Sequence, residues 1–379
     1  MSLEKLYGDA AVATLADAEC LPFSLYRDRA VYELEKQKIF YADWVFACAA
    51  KQVSERGDYF AFTLADEPIV IIRGQDDQLR VMSNVCRHRG ALLNVEGFGK
   101  ARKMICPYHA WTYNDDGQLL AAPLAADHEV DQSRHCLPQF AVEVWQGLVF
   151  VSLNDGAEPL ADRYQGIERY LALYGSDQFD HFYEGKLEHW QCNWKLAMEN
   201  AMESYHLFRV HRDTLETLTP TRQAFYLEGG ADWSLTGGQY KHPPGKLTQW
   251  LMGGADVTQE HYVLMALPPG FVGILGRDSL AWINVLPTGP DSCTVRSGAL
   301  SFSGKVDQAE EQFTDAFFAE DKAICERVQR GVNSQFGRGG SLLEVERIVV
   351  DFHHYLASRI AGEKGTGIYR AGDNIFFPA

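Results

Sequence analysis

The chain has 379 residues, of which 46% are hydrophobic and 23% charged, with a formal net charge of −16. This is an ordinary globular composition with enough core for two domains, and so acidic a surface repels nucleic acid and anionic membrane alike. No apolar run approaches the ~18 residues of a membrane-spanning helix, and the start Met1-Ser2-Leu3-Glu4-Lys5 lacks a basic segment followed by an apolar stretch, so neither a transmembrane helix nor a secretion signal is expected.

In chain order, Val31 to Phe40 reads as a helix that belongs with a later, larger domain. Residues 41–154 read as short strands and turns. Tyr59–Leu64 and Pro68–Arg73 are β-branched or aromatic runs, Gln78–Ser83 follows Gly74-Gln75-Asp76-Asp77, Trp111–Tyr113 precedes Asn114-Asp115-Asp116-Gly117, and Gly147–Leu153 closes the set. A small antiparallel β domain inserted in the larger one is expected. Within it lie Cys86-Arg87-His88-Arg89-Gly90 and Cys106-Pro107-Tyr108-His109, a C-x-H and a C-x-x-H separated by seventeen residues. A Rieske [2Fe–2S] centre needs Cys₂ on one iron and His₂ on the other. A Cys₂His₂ zinc site uses the same ligands, but zinc spacings usually group the two cysteines together and the two histidines together. Here each loop holds one of each, which lets both loops supply both irons. The other six cysteines are scattered and read as free thiols of a reducing cytoplasm.

After Asn154 helices alternate with strands. Leu160–Tyr174 and Asn193 to about Val210 read as helices, Tyr262–Leu267 and Leu280–Val285 as strands, and Asp307–Arg330 and Leu342–Ile360 as long helices. Gly337-Arg338-Gly339-Gly340 is a loop without the phosphate-cradle pattern, and no dinucleotide fingerprint is present. His206 and His211 form an H-x₄-H pair. Five residues of helix turn side chains about 140° apart, so both face one ion only if the helix ends or distorts between them. Two histidines and one carboxylate would hold ferrous iron with positions left open. On the Asp307–Arg330 helix, Phe313, Phe317, Ile324 and Val328 form an apolar stripe; Asp321 falls close to it and Glu320 at its other margin, so Asp321 is the choice and Glu320 the fallback.

Together these elements resemble the oxygenase (alpha) component of Rieske non-haem iron oxygenases. The resemblance runs from Leu34–Phe40 and Gly57-Asp58-Tyr59 through Asn84–Gly90 and Cys106–Trp111. It continues through Asn193-Trp194-Lys195, Glu199-Asn200, Tyr205-His206 and His211 to Glu320-Asp321. It implies that Cys86 and Cys106 hold one cluster iron and His88 and His109 the other, and that His206, His211 and Asp321 hold a mononuclear Fe(II) where O2 is the cosubstrate. It also implies an α+β architecture: residues 1–40 and 155–379 form a catalytic domain with a curved antiparallel sheet covered by helices, and 41–154 form the cluster domain. A head-to-tail homotrimer follows, as does a separate NAD(P)H-dependent reductase acting directly or through a ferredoxin. The family usually has aspartate three residues before the first iron histidine, as a bridge to the cluster of the next subunit. Glu203 stands there, which is similar to members acting on quaternary ammonium compounds such as carnitine and betaine.

Asn200 and Tyr205, beside the ligands, are expected to shape or gate the iron pocket, and Trp111 to pack over a cluster loop or in the core. The expected activity is hydroxylation or N-demethylation of a small amine, quaternary ones included, caged by aromatic faces among Phe208, Tyr226, Trp233, Tyr240, Trp250 and Trp282. The alternatives are aromatic ring hydroxylation or O-demethylation and, more remotely, electron carriage alone, which needs little beyond the β domain.

Overall fold

The computed structural model describes residues 2–11, 15–126, 130–242, 256–303, 308–362, 369–370 and 374–377. Contacts divide the chain into two compact units, Phe40–Ala161 and a second made of Met1–Ile39 with Asp162–Ala379.

The first unit is all β. Its strands are β1 (Val45–Ala49), β2 (Asp58–Leu64), β3 (Glu67–Arg73), β4 (Leu79–Ser83), β5 (Gly97–Lys100), β6 (Met104–Ile105), β7 (Thr112–Tyr113), β8 (Leu119–Ala121), β9 (Gln139–Trp145) and β10 (Leu148–Ser152). Seven form an antiparallel sheet in the order β1-β10-β9-β4-β3-β2-β5, and β6-β7-β8 form a small second sheet. Every residue of β1 and β10 is buried, and all but Ser152 are apolar. The β2–β3 connection turns on Ala65 and Asp66, both at positive φ.

The second unit is built on eight antiparallel strands. These are β11 (His181–Trp190), β12 (Ala224–Gly229), β13 (Ser234–Gln239), β14 (His261–Leu267), β15 (Phe271–Leu275), β16 (Ser279–Gly289), β17 (Ser292–Ser301) and β18 (Tyr369–Arg370). Their order is β11-β17-β16-β15-β14-β13-β12-β18. Central β14 is buried almost throughout, whereas edge strand β11 is largely exposed. The helices are α1 (Leu3–Ala11), α2 (Arg29–Glu35), α3 (Leu160–Arg163), α4 (Glu168–Leu173), α5 (Trp194–Met202), α6 (Leu207–Val210), α7 (Val257–Glu260), α8 (Gln308–Val332) and α9 (Arg347–Ala361). Helix α5 lies on β14–β17, α8 packs on α5, and α9 covers β12 and β13 and carries α1.

Two expected helices are each broken in two. Gly166, at φ 102°, separates α3 from α4, and extended Glu203 (φ −112°, ψ 160°) separates α5 from α6. The expected Val31–Phe40 helix is α2 followed by a wider π turn over Lys36–Phe40.

Helix α5 starts where the Asn193 side chain caps the Lys195 N–H at 2.9 Å. Its first turn is tied to α2 by a wholly buried ion pair, Lys195 Nζ to Glu35 Oε1 at 2.5 Å. Glu35 also accepts from Trp194 Nε1 at 2.8 Å and from the Tyr7 hydroxyl. Burial pulls the Lys195 pKa down although Glu35 opposes it. Removing one member of such a pair leaves the other as an uncompensated buried charge. Lys195→Met is therefore expected to destabilise this unit by about 3–5 kcal/mol, read as a lowered denaturant midpoint by tryptophan fluorescence.

Candidate metal centres

In the β unit, the two Cys/His loops are built alike. Cys86 N–H donates to Ala91 O (2.9 Å) and Gly90 N–H to Cys86 O (3.0 Å); Cys106 N–H donates to Trp111 O (2.8 Å) and Ala110 N–H to Cys106 O (3.0 Å). The fourth residue after each cysteine is left-handed, Gly90 at φ 76° and Ala110 at φ 57°. Both cysteines are buried in an apolar cluster with Met82, Leu93, Met104, Trp111, Tyr113 and Leu119, while His88 and His109 are exposed. The two imidazoles lie side by side, centroids 4.8 Å apart, and Trp111, itself buried, stacks on His88 at 4.7 Å. Two sulfurs within and two imidazoles at the surface fit a Rieske cluster.

Tyr113, which the sequence reading passed over, completes this site. Its hydroxyl oxygen accepts the Arg87 N–H at 3.0 Å, so its own proton is free to donate to Cys86 Sγ at 3.4 Å. Burial, followed by that sulfur contact, raises its pKa well above the ordinary value.

In the second unit, one turn of helix separates the two histidines: His206 precedes α6 and His211 ends it. Their rings approach to 5.0 Å. His206 Nδ1 donates to Glu203 Oε1 at 2.5 Å and His211 Nδ1 to Glu320 Oε2 at 2.8 Å. The Nε2 atoms turn the other way, toward Asp321 Oδ1, at 3.5 Å from His206 and 2.9 Å from His211. His206, His211 and Asp321 thus each offer a ligand atom within 4.8 Å of the others, the one such group of three or more among the described residues. Two imidazoles oriented from behind and one carboxylate suit ferrous iron.

Burial disfavours protonation of His206, yet hydrogen bonds to Asp321 and Glu203 outweigh it and raise its pKa to about 9. Burial likewise opposes, and Asp321 and Glu320 drive, the upward shift of His211. The same contacts hold Asp321 below the usual carboxylate range despite its burial. A divalent ion held there by His206, His211 and Asp321 would take the place of the Nε2 protons and leave those on Nδ1.

The other expected site residues divide. Asn200 Nδ2 sits 3.0 Å from His206 Nε2. Tyr205 donates its backbone N–H to Glu203 Oε2, while its half-exposed ring packs on Phe208 rather than on the imidazoles. The buried arc of α8 is Phe318, Asp321, Cys325, Gln329 and Val332, one position removed from the expected stripe, and Val328 is exposed. Phe313 and Phe317 instead line a cavity of about 870 Å³ with Tyr183, Trp282, Phe302 and Phe318. This cavity approaches the histidines through Phe317, whose ring stands edge-on to His211 at 6.2 Å. Of the six expected cage aromatics, Trp282 lines it. Tyr226 instead donates to Asp351 at 2.7 Å, Trp233 is buried elsewhere, Tyr240 packs on Tyr262, and Trp250 lies outside the described residues.

Residues 43–141 match the family model for the Rieske [2Fe-2S] domain and residues 176–362 that for the ring hydroxylating alpha subunit (catalytic domain). The catalytic match begins after the β domain. The expected insertion is therefore corrected to an N-terminal β domain followed by a catalytic domain; Met1–Ile39 lie before both matches and pack with the later unit. The glycine betaine monooxygenase oxygenase subunit of Chromohalobacter salexigens is 36% identical over 52% of this chain and 44% of its own length. The chain therefore spans under half of that relative. The carnitine monooxygenase oxygenase subunit of Escherichia coli K12 is 26% identical over 90% of this chain and 94% of its own length. The solved fold of a quaternary ammonium Rieske monooxygenase superposes with a TM-score of 0.80 at 24% identity, covering 94% of this chain and 98% of that one.

Hydrogen bonds to cluster sulfurs raise the reduction potential. Tyr113→Phe is expected to keep the cluster's visible spectrum and to lower its midpoint potential by on the order of tens of millivolts, measured by redox titration.

Proposed function

The chain belongs to the Rieske non-haem iron oxygenase alpha subunits, and on that premise we propose that it is the terminal oxygenase of a multicomponent system that hydroxylates or N-demethylates a small cationic amine. The observation that carries the reading is the pair of imidazoles, each backed by a carboxylate at Nδ1, with both Nε2 atoms facing Asp321. Residues 41–154 act as the cluster domain, with Cys86, His88, Cys106 and His109 as ligands. Residues 155–379 act as the catalytic domain, with His206, His211 and Asp321 as iron ligands, and the segment 1–40 packs with it. When bound, the cluster supplies single electrons and the iron activates dioxygen.

The protein's own groups do the rest. Glu203 and Glu320 keep the imidazole Nδ1 atoms protonated and aim Nε2 inward. Asn200 faces the same space. The aromatic cavity presents ring faces to the substrate. Its described lining carries Asp278 and Glu310 but no lysine, arginine or histidine, which favours a cation over an anion. A hydroxylated N-methyl group then breaks its C–N bond and leaves as formaldehyde. The relatives are named as oxygenase subunits, which supports a separate NAD(P)H-dependent reductase, directly or through a ferredoxin. In a head-to-tail homotrimer Glu203 would join His206 to His109 of the next subunit. The same aromatic lining supports a second reading, oxidation of an aromatic ring or methoxy group.

Incubation of the full chain with a surrogate reductase is expected to give oxygen uptake and formaldehyde with betaine- or carnitine-like amines. Turnover of methoxybenzoates alone would transfer the reading to aromatic substrates. His206→Ala and Asp321→Ala are each expected to retain the cluster spectrum, reduce bound iron from about three to about two per chain, and abolish product. Product surviving both changes would place the catalytic site elsewhere.

A further inference from the structure

Asn200 stands between the candidate iron ligands and a buried thiol. Its Nδ2 lies 3.0 Å from His206 Nε2, and its Oδ1 accepts from Cys325 Sγ, also at 3.0 Å. Cys325 follows Asp321 by four residues on α8, so about one helical turn places thiol and carboxylate on one face. The thiol is buried; Leu196 O lies farther away at 3.8 Å, and the Cys192 sulfur, also in hydrogen-bond contact, is a weaker acceptor than an amide oxygen.

An amide oxygen only accepts, an amide NH₂ only donates, and a thiol has one proton to give. With Cys325 donating to Oδ1, the two ends of the amide are no longer interchangeable. We infer that Cys325 is a positioning residue that holds Asn200 with its NH₂, and not its carbonyl oxygen, toward the space beside His206, and so keeps an oxygen donor out of the iron's coordination.

The inference rests on His206, His211 and Asp321 being the iron ligands. The chemical difference between the two orientations is large. A carbonyl oxygen is a competent ligand for a divalent ion, whereas an amide NH₂ has no lone pair to offer and instead donates a hydrogen bond. A reversed Asn200 would occupy a position that two histidines and one carboxylate leave open. The simpler account is that Cys325 only fills space beside two other buried thiols, Cys192 and Cys293, whose sulfurs are 4.0 Å apart.

Nitric oxide binding to the ferrous full-length protein separates the two accounts, because it reads an open coordination position without turnover. The nitrosyl signal is followed by electron paramagnetic resonance, with the cluster's visible spectrum as the folding control. Cys325→Ser keeps a donor and is expected to match the wild type, whereas Cys325→Ala is expected to bind nitric oxide more weakly, by about two-fold if the amide orients freely and up to about five- to ten-fold if the reversed amide predominates through its contact with iron. Asn200→Asp, which has oxygen at both ends, is expected to weaken binding as well. Asn200→Ala combined with Cys325→Ala is expected to restore it, since no amide oxygen remains.

Wild-type affinity in Cys325→Ala, or no recovery in the double variant, would overturn the inference. If Cys325→Ala fails to retain the cluster, Asn200→Asp carries the comparison, and unchanged affinity there overturns it equally. A wild-type protein that gives no nitrosyl signal removes the iron-site reading itself and the inference with it.

Discussion

Two hydrogen bonds, from His206 Nδ1 to Glu203 and from His211 Nδ1 to Glu320, are the constraint around which the catalytic unit is arranged. An imidazole has two nitrogens and, when neutral, one proton. Placing a carboxylate behind Nδ1 fixes the proton there and leaves the Nε2 lone pair pointing forward. One carboxylate is local to its histidine and the other comes from a distant helix. Glu203 ends α5 in an extended conformation and folds back on the Tyr205 and His206 amides. Glu320 and Asp321 are neighbours on α8, about 100° apart around the axis, and hold opposite nitrogens of the same ring. Thr214 fixes the outer carboxylate by donating its hydroxyl to Glu320 Oε2 at 2.7 Å.

Such a site needs stiff support, because ligands displaced by an ångström lose their common focus. Helix α5 supplies much of it. Its start is capped by Asn193 and locked through Lys195 to Glu35. One turn on, Glu199 accepts from Tyr26 at 2.8 Å and contacts His353 Nε2 at 3.0 Å. These bonds hold Asn200 and the start of the Glu203 turn through partners on α9 and the N-terminal segment. Burying Lys195 and Glu35 costs desolvation that an apolar pair would avoid, and what the ion pair gives in return is a fixed rotation of α5 about its own axis.

The β unit solves a different problem. Its two loops repeat one hydrogen-bonding scheme around a cysteine, so the sulfurs enter the core at matched depth while the imidazoles stay at the surface. The scheme needs a left-handed residue at the fourth position. Glycine meets that in one loop, and Ala110 accepts backbone strain in the other. Apolar packing around the sulfurs and the Tyr113 hydroxyl act on the same quantity, the stability of negative charge at the sulfur end of the cluster.

What could be read from the chain followed the range of the interactions concerned. The cluster loops are local, and their spacing favours a Rieske cluster over a zinc site. Five-residue geometry likewise implied that one unbroken helix could not present both histidines, although the break falls at Glu203, before them, and a single helical turn lies between them. Asp321 was harder, because Phe313 and Phe317 imitate a core stripe while facing a cavity. Apolar periodicity records that a face avoids water, and a packed sheet and a substrate pocket satisfy that condition equally. Fallback Glu320 was legible as a carboxylate near the site but not as the partner of His211 Nδ1, since that distinction depends on how a ring 109 residues earlier is turned. Tyr113 and Cys325 share the difficulty. Each acts through one proton pointed at an atom on another element, and nothing in the residues beside them records where that proton goes.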